Sequence, residues 1–204
     1  MHISEGVLPG WLLVSGYALT SVGVALGLKK LDYSKIPIAG VLSAVFFVAS
    51  LIHVPIGVGS AHLILNGVAG LILGWAVFPV ILVGLFLQAV LFQFGGLTVL
   101  GVNTFNIAFP AVIAYYLCQP LLRETTLFRL VLVSIIAVTI SILGSGILLS
   151  LELLATAESF KETAKLIILV HFPIVIVESI ITFFILSFLN KVAPELLKIN
   201  AKQV

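Results

Sequence analysis

The sequence predicts an all-α polytopic membrane bundle of seven transmembrane helices, its N-terminus outside and folded into the bundle, its C-terminus cytoplasmic. Three observations predict it. Apolar residues make up 61% of the chain and charged residues 9%, against about 25% charged in a soluble domain. Mean hydropathy is +1.32. Most residues fall in uncharged runs long enough, or nearly so, for a helix to cross the ~30 Å of hydrocarbon in a bilayer. Backbone groups in lipid have no water to bond, so each span must close its own hydrogen bonds as a helix. Residues 1–204 are read as a single integral membrane domain, with 1–9 a separate N-terminal segment and 191–204 a polar cytosolic tail.

The segment Met1 to Pro9 precedes the first apolar run. No Lys or Arg occurs before Lys29, so the basic start of a cleavable signal peptide is missing and the run is expected to persist as a span. Spans are expected near 10–28, 36–52, 62–76, 78–95, 99–119, 127–153 and 166–190. In the first, Gly16, Thr20, Gly23 and Gly27 recur at helical spacing. Such a stripe allows close helix approach and suits bundle packing or a partner helix equally. Gly70 and Gly74 repeat the pattern and are expected to pack internally. A single helix over 62–95 would be about 50 Å long, too long for one crossing, so two helices hinged near Trp75 to Pro79 are expected.

Charge placement tests that division. With seven spans and the N-terminus outside, Lys29, Lys30, Lys35, Arg123, Arg129, Lys191, Lys198 and Lys202 are cytoplasmic, and only Lys161 and Lys165 lie outside. One helix over 62–95 would divide the basic residues evenly. The excess of Lys and Arg on the cytoplasmic side favours seven. Placement is the cell inner membrane, with the lipid bilayer as solvent. The net charge of +2 says little by itself, and no nucleic-acid partner is expected. One cysteine, Cys118, excludes an internal disulfide and a thiolate metal cluster. No Gly-Lys pair exists, so there is no Walker A loop and ATP hydrolysis is not expected of this chain.

Chemistry gathers at the beginning. The free amine of Met1, the amide nitrogen of His2 and the His2 imidazole can close two adjacent chelate rings on one cation. The amide binds only after losing its proton. Ni(II), Cu(II) and low-spin Co(II) can drive that loss and accept flat nitrogen coordination. In the predicted topology all four histidines lie in the outer part of the membrane. His62 ends the run Pro55-Ile56-Gly57-Val58-Gly59-Ser60-Ala61, a non-helical loop before a span. Irregular backbone at membrane depth is tolerated where it is buried or lines a polar cavity. A lone loop histidine would be read as a cap; beside Met1-His2 it is read as a fourth nitrogen donor. His53 is a further ligand, a transient ligand on the way in, or an interfacial residue, the last slightly preferred.

Phe94-Gly95-Gly96-Leu97-Thr98 and Gly101-Val102-Asn103-Thr104-Phe105-Asn106 form a second broken, polar stretch. Asn66, Thr98, Asn103 and Asn106 are expected to orient the imidazoles and the N-terminal strand, as metal-bound histidines require. Tight turns with capping amides are the plainer reading, and the two are compatible. Gln88 and Gln93 are expected to bond between helices. Glu178 is a carboxylate inside a span, and such groups are functional candidates by default. His171 sits on the same helix face about 10 Å away. The pair forms a proton or cation path, or Glu178 is protonated and bonded to a neighbouring helix; neither is preferred.

Met1-His2-Ile3-Ser4-Glu5-Gly6-Val7-Leu8-Pro9, the Pro55 to His62 loop, His62-Leu63-Ile64-Leu65-Asn66-Gly67 and Phe94 to Asn106 resemble the CbiM/NikM family, the substrate-capturing membrane subunits of energy-coupling-factor transporters for cobalt and nickel. The resemblance is densest over 1–119; the later spans agree in hydropathy and length. It implies a metal in a flat arrangement of four nitrogens: the Met1 amine, the His2 amide and imidazole, and the His62 imidazole. It also implies partners, namely a transmembrane coupling subunit, two cytosolic ATPases and often a small accessory membrane protein. The chain stops soon after the last span, so the accessory protein is expected to be separate or absent. Two positions depart from the family pattern. Its loop usually carries Gly-Thr-Ser before the ligand, here Gly59-Ser60-Ala61, and its usual Asn-Met reads Asn106-Ile107. The second removes a thioether from the donor set.

The implied activity is high-affinity capture and transport of Co(II) or Ni(II) as substrate, with no catalytic cofactor and no enzymatic role for this chain. The His62-Leu63-Ile64-Leu65-Asn66-Gly67 run leans slightly to cobalt. Mg(II) and Ca(II), which want oxygen ligands, are disfavoured. An alternative of another class is an intramembrane serine hydrolase using Ser145 and His171, since a Ser–His pair is the minimum for an activated nucleophile. Against it, Gly144-Ser145-Gly146 is more commonly a packing motif, and Met1-His2 gains no role. A haem subunit using paired histidines is a third reading.

Overall fold

The computed structural model describes residues 2–56, 59–123 and 126–197, with backbone alone at 53–56, 59–61 and 123. In the described residues seven α-helices follow a two-residue strand: β1 (His2–Ile3), α1 (Gly10–Lys30), α2 (Ile36–Ala49), β2 (His53–Ile56), β3 (Gly59–His62), α3 (Asn66–Leu73), α4 (Val77–Phe92), α5 (Leu100–Cys118), α6 (Leu127–Thr156) and α7 (Lys161–Val192). Among the described residues, five apolar helical stretches are long enough to cross a membrane: Gly10–Lys30, Asn66–Phe92, Leu100–Leu122, Leu127–Thr156 and Glu158–Val192; Tyr33–Ala49 is shorter.

Each boundary has a local cause. Asp32 accepts a hydrogen bond from the Ser34 amide at 3.0 Å, which caps the 3-10 turn between α1 and α2 and holds the Asp32 carboxyl below the usual carboxylate range. Pro37 stands in the first turn of α2, where its missing N–H is harmless. Thr126 caps α6 by accepting from the Arg129 amide at 3.3 Å.

The stretch over 62–95 divides at Gly74–Ala76, beside the expected hinge, but its first helix starts later than hydropathy suggests. Residues through Leu65 stay extended or turned, so α3 has only 8 residues. Gly74, at φ +55 and ψ −126, ends it in a conformation that side chains resist. The contacts that follow reverse the chain. Gly27 of α1 packs on Trp75 and Gly23 on Phe78. Further along α4, Gly84 meets Phe46 and Gln88 bonds Ser50 at the far end of α2. α4 therefore runs back along α1 and α2 toward the end of the bundle that carries β1.

Small residues set the packing. Gly16, Gly23 and Gly27 are buried against Val102, Phe78 and Trp75, and Thr20 Oγ1 donates to Gly101 O at 2.6 Å. The α1 stripe thus serves the bundle rather than a partner helix. A Cβ at Gly70 would lie 2.5 Å from the Ala111 carbonyl oxygen, so α3 and α5 touch backbone to backbone. Gly144 faces Pro110, and Gly146 faces the His171 ring, which makes Gly144-Ser145-Gly146 a packing motif. The largest core joins Phe46, Phe78, Ile81, Ile107 and Ile142 from four helices. Large apolar side chains such as Trp11, Val22, Phe128, Phe172, Phe184 and Phe188 face outward, as lipid requires.

Candidate metal centre

β1 enters a three-stranded antiparallel sheet in the order β1-β3-β2. Its register sets His2 opposite Ser60 and Ile3 opposite Gly59, while His53 pairs with His62 across β2–β3. His62 lies two residues along β3 from Ser60, the residue that pairs with His2. The His2 ring thereby meets the His62 ring. The two are stacked with centroids 4.5 Å apart and 26° between planes, and they are 4% and 2% exposed. Metal–imidazole bonds are about 2 Å, so two imidazole nitrogens on adjacent corners of a flat site lie about 3 Å apart, which requires rings in contact as these are.

The N-terminal segment is tied down by α5 and by the turn before it. Asn103 Oδ1 accepts from the Ile3 amide at 2.9 Å and Asn103 Nδ2 donates to Ile3 O at 3.2 Å, a two-point grip one residue beyond His2. The Ile3 side chain packs with Leu149, Leu153 and Ile167. The Glu5 amide donates to Gly95 O at 3.1 Å, and Glu5 Oε1 accepts from the Thr98 amide at 3.0 Å. Gly96 has φ +135, and a Cβ there would lie 2.0 Å from Glu5 Cγ. Gly95 and Gly96 therefore leave room for the strand itself.

His62 is fixed from the other side. Its Nδ1 lies 2.9 Å from Leu63 O. A carbonyl only accepts, so Nδ1 carries the proton and Nε2 keeps the lone pair a metal would use. Past it, the chain bends through Leu65, whose φ of 54 and ψ of 21 are left-handed. The Ile64 amide donates to Glu178 Oε1 and the Leu65 amide to Glu178 Oε2 at 3.0 Å. Asn66, fully buried, then donates to Ile107 O at 2.8 Å.

The expected second rank divides accordingly. Asn103 grips the strand. Asn66 orients α3 against α5. Thr98 is exposed, and its backbone amide donates to Glu5. Asn106 donates to Glu152 Oε2 at 2.6 Å. The expectation of a broken stretch fails over 101–106, which is the first part of α5. Glu152 was not anticipated, because hydropathy puts it at the very end of a span; its partner Asn106 lies far away in sequence. Gln88 bonds between helices as expected.

Met1 lies outside the described residues, as does the His53 side chain. Among the described residues no three His, Cys, Asp or Glu side chains converge on one point, so a cation here must draw on donors beyond the two imidazoles. Ser145 Oγ donates to Ser141 O at 2.7 Å and His171 Nδ1 pairs with Ile167 O. Both bonds stay within their own helices, and nothing in this geometry supports a serine nucleophile. His171 and Glu178 are likewise engaged separately, without a link between them among the described bonds.

Residues 2–196 match the family described as "CbiM: Cobalt uptake substrate-specific transmembrane region". A "Putative metal transport protein" of Haemophilus influenzae is 45% identical over 97% of both chains. A "Cobalt transport protein CbiM" of Kyrpidia tusciae is 29% identical over 97% of this chain and 86% of its own. A crystal structure described as a transition metal transporter superposes with a TM-score of 0.75 at 27% identity, covering 94% of this chain and 93% of the other. A second, described as a truncated transition metal transporter, gives 0.70 at 26% identity over 93% and 98%.

Proposed function

The chain belongs to the family of cobalt-uptake substrate-specific transmembrane regions, and from that premise we propose that it captures Co(II) or Ni(II) at the outer end of the bundle, as the substrate-binding subunit of an ATP-driven energy-coupling-factor transporter. The donors are the Met1 amine, the deprotonated amide and imidazole of His2, and Nε2 of His62. The observation that carries this reading is the burial of the His2 and His62 rings against each other at 4.5 Å. Neighbouring groups restrain both: Asn103 holds the residue after one, and Glu178 holds the second and third residues after the other. A preformed pair of imidazoles beside a chelating terminus suits late first-row ions and not oxygen-seeking Mg(II) or Ca(II).

Seven crossings, with the terminus outside, set the site at the cell exterior face, where it takes up the ion. Transport requires partners that this chain lacks: a transmembrane coupling subunit and two ATPases, with a small accessory membrane protein in some assemblies. The Haemophilus relative named for metal transport and the Kyrpidia relative named for cobalt transport support this substrate class.

Elemental analysis of the purified protein after exposure to mixed divalent ions tests the proposal. Wild type is expected to retain Co or Ni. His2→Ala and His62→Ala are each expected to abolish retention, and His53→Ala to lower it less. Retention at wild-type level in His2→Ala or His62→Ala would overturn the assignment.

A further inference from the structure

We propose that Glu178 is a positioning residue for metal capture, clamping from α7 the bend that aims the His62 imidazole. The inference rests on the capture reading and adds a residue to it. Glu178 is fully buried in the middle of α7. Its two oxygens accept the Ile64 and Leu65 amides, which come two and three residues after His62. These amides precede α3 and have no preceding helical turn to bond. Leu65 stands at the helix-cap position but offers no capping oxygen, so the acceptors come from another helix altogether.

The bend has a further requirement. Leu65 is a non-glycine residue held at φ 54, a conformation that persists only where surroundings over-determine it. A carboxyl group that engages two successive amides does this. The His62 ring is bonded into the same short segment through Leu63 O. Asn66 then fixes that segment to α5. Displacing Glu178 would leave strand β3 paired with β1 but free the His62 ring to turn. Because α7 supplies the clamp, a shift of α7 also reaches the ligand directly.

Glu178→Gln has nearly the same shape but presents an NH2 group where an amide N–H needs an acceptor. The test compares the full-length protein in detergent with this variant. Ni(II) is titrated while the visible absorption of a flat four-nitrogen complex is followed, and hydrogen exchange is read at Ile3, Ile64 and Leu65. Glu178→Gln is expected to lose about 10–100-fold in affinity and to weaken that absorption. Exchange should quicken at residues 64 and 65 and stay unchanged at Ile3. Wild-type affinity and spectrum in Glu178→Gln would overturn the positioning role and leave metal capture standing. Failure of the wild type itself to bind any metal would overturn capture, and this inference with it. If Glu178→Gln does not fold, Glu178→Asp decides: the carboxylate withdrawn by one methylene should bind less tightly than wild type, and undiminished affinity would refute the clamp.

Discussion

His2 and His62 are also held through the residues that follow them. Asn103 bonds both the amide and the carbonyl of Ile3, so it governs where β1 lies. Asn103→Leu keeps comparable volume and removes both bonds. It is expected to lower metal affinity by about 10–100-fold, read by titration with Ni(II) or Co(II); wild-type affinity would deny that the grip matters. Gly96 acts through space. Any side chain there must displace Glu5, whose Cγ would be 2.0 Å from the new Cβ. Gly96→Ala is therefore expected to release the N-terminal segment, which proteolysis would detect as faster cleavage within residues 2–9, prevented in the wild type by the Glu5 bonds to Gly95 and Thr98.

At the scale of elements, close approach carries the bundle. The Gly70–Ala111 contact leaves no room for a methyl group, since a Cβ would sit 2.5 Å from a carbonyl oxygen. Gly70→Ala should destabilise by about 1–3 kcal/mol through overpacking, measured by thermal unfolding in detergent; an unchanged melting curve would mean that α3 and α5 separate easily. The helices were largely legible in the sequence, because hydropathy and placement of Lys and Arg mark where the chain leaves lipid. α1, α4 and α5 start and stop within a few residues of expectation. The sheet was not legible. β1 has two residues and β2 and β3 four each, too short for an alternating pattern, and their pairing joins positions far apart in sequence. His62 could be singled out as a candidate from its loop and from Met1-His2, while its approach to His2 and the Glu178 contact could not, because both join positions far apart in sequence. A carboxylate in a span announces importance, but only the fold brings it to Ile64 and Leu65. The α1 glycines were readable as a contact surface, yet nothing in their spacing says that Val102, Phe78 and Trp75 are what they meet.

For the whole molecule, the account requires a sided protein with an outward metal site. A cysteine at Lys161 in a Cys118→Ala background should label from outside intact cells, and one at Lys30 only after permeabilisation; the reverse would invert the proposed topology. Affinity should also climb with pH. An α-amine titrates near pH 7.7–8.0 and must shed its proton, as must the His2 amide, so each unit of acidification below that range weakens binding. Uptake in cells should require the coupling subunit and ATPases, since binding alone does no work on the ion. The most direct test places one extra residue before Met1 and measures bound Co or Ni on the purified protein. Every described side chain is unaltered by this change, whereas the terminal chelate is destroyed. The account predicts that tight binding disappears; metal retained at wild-type stoichiometry and affinity would contradict it.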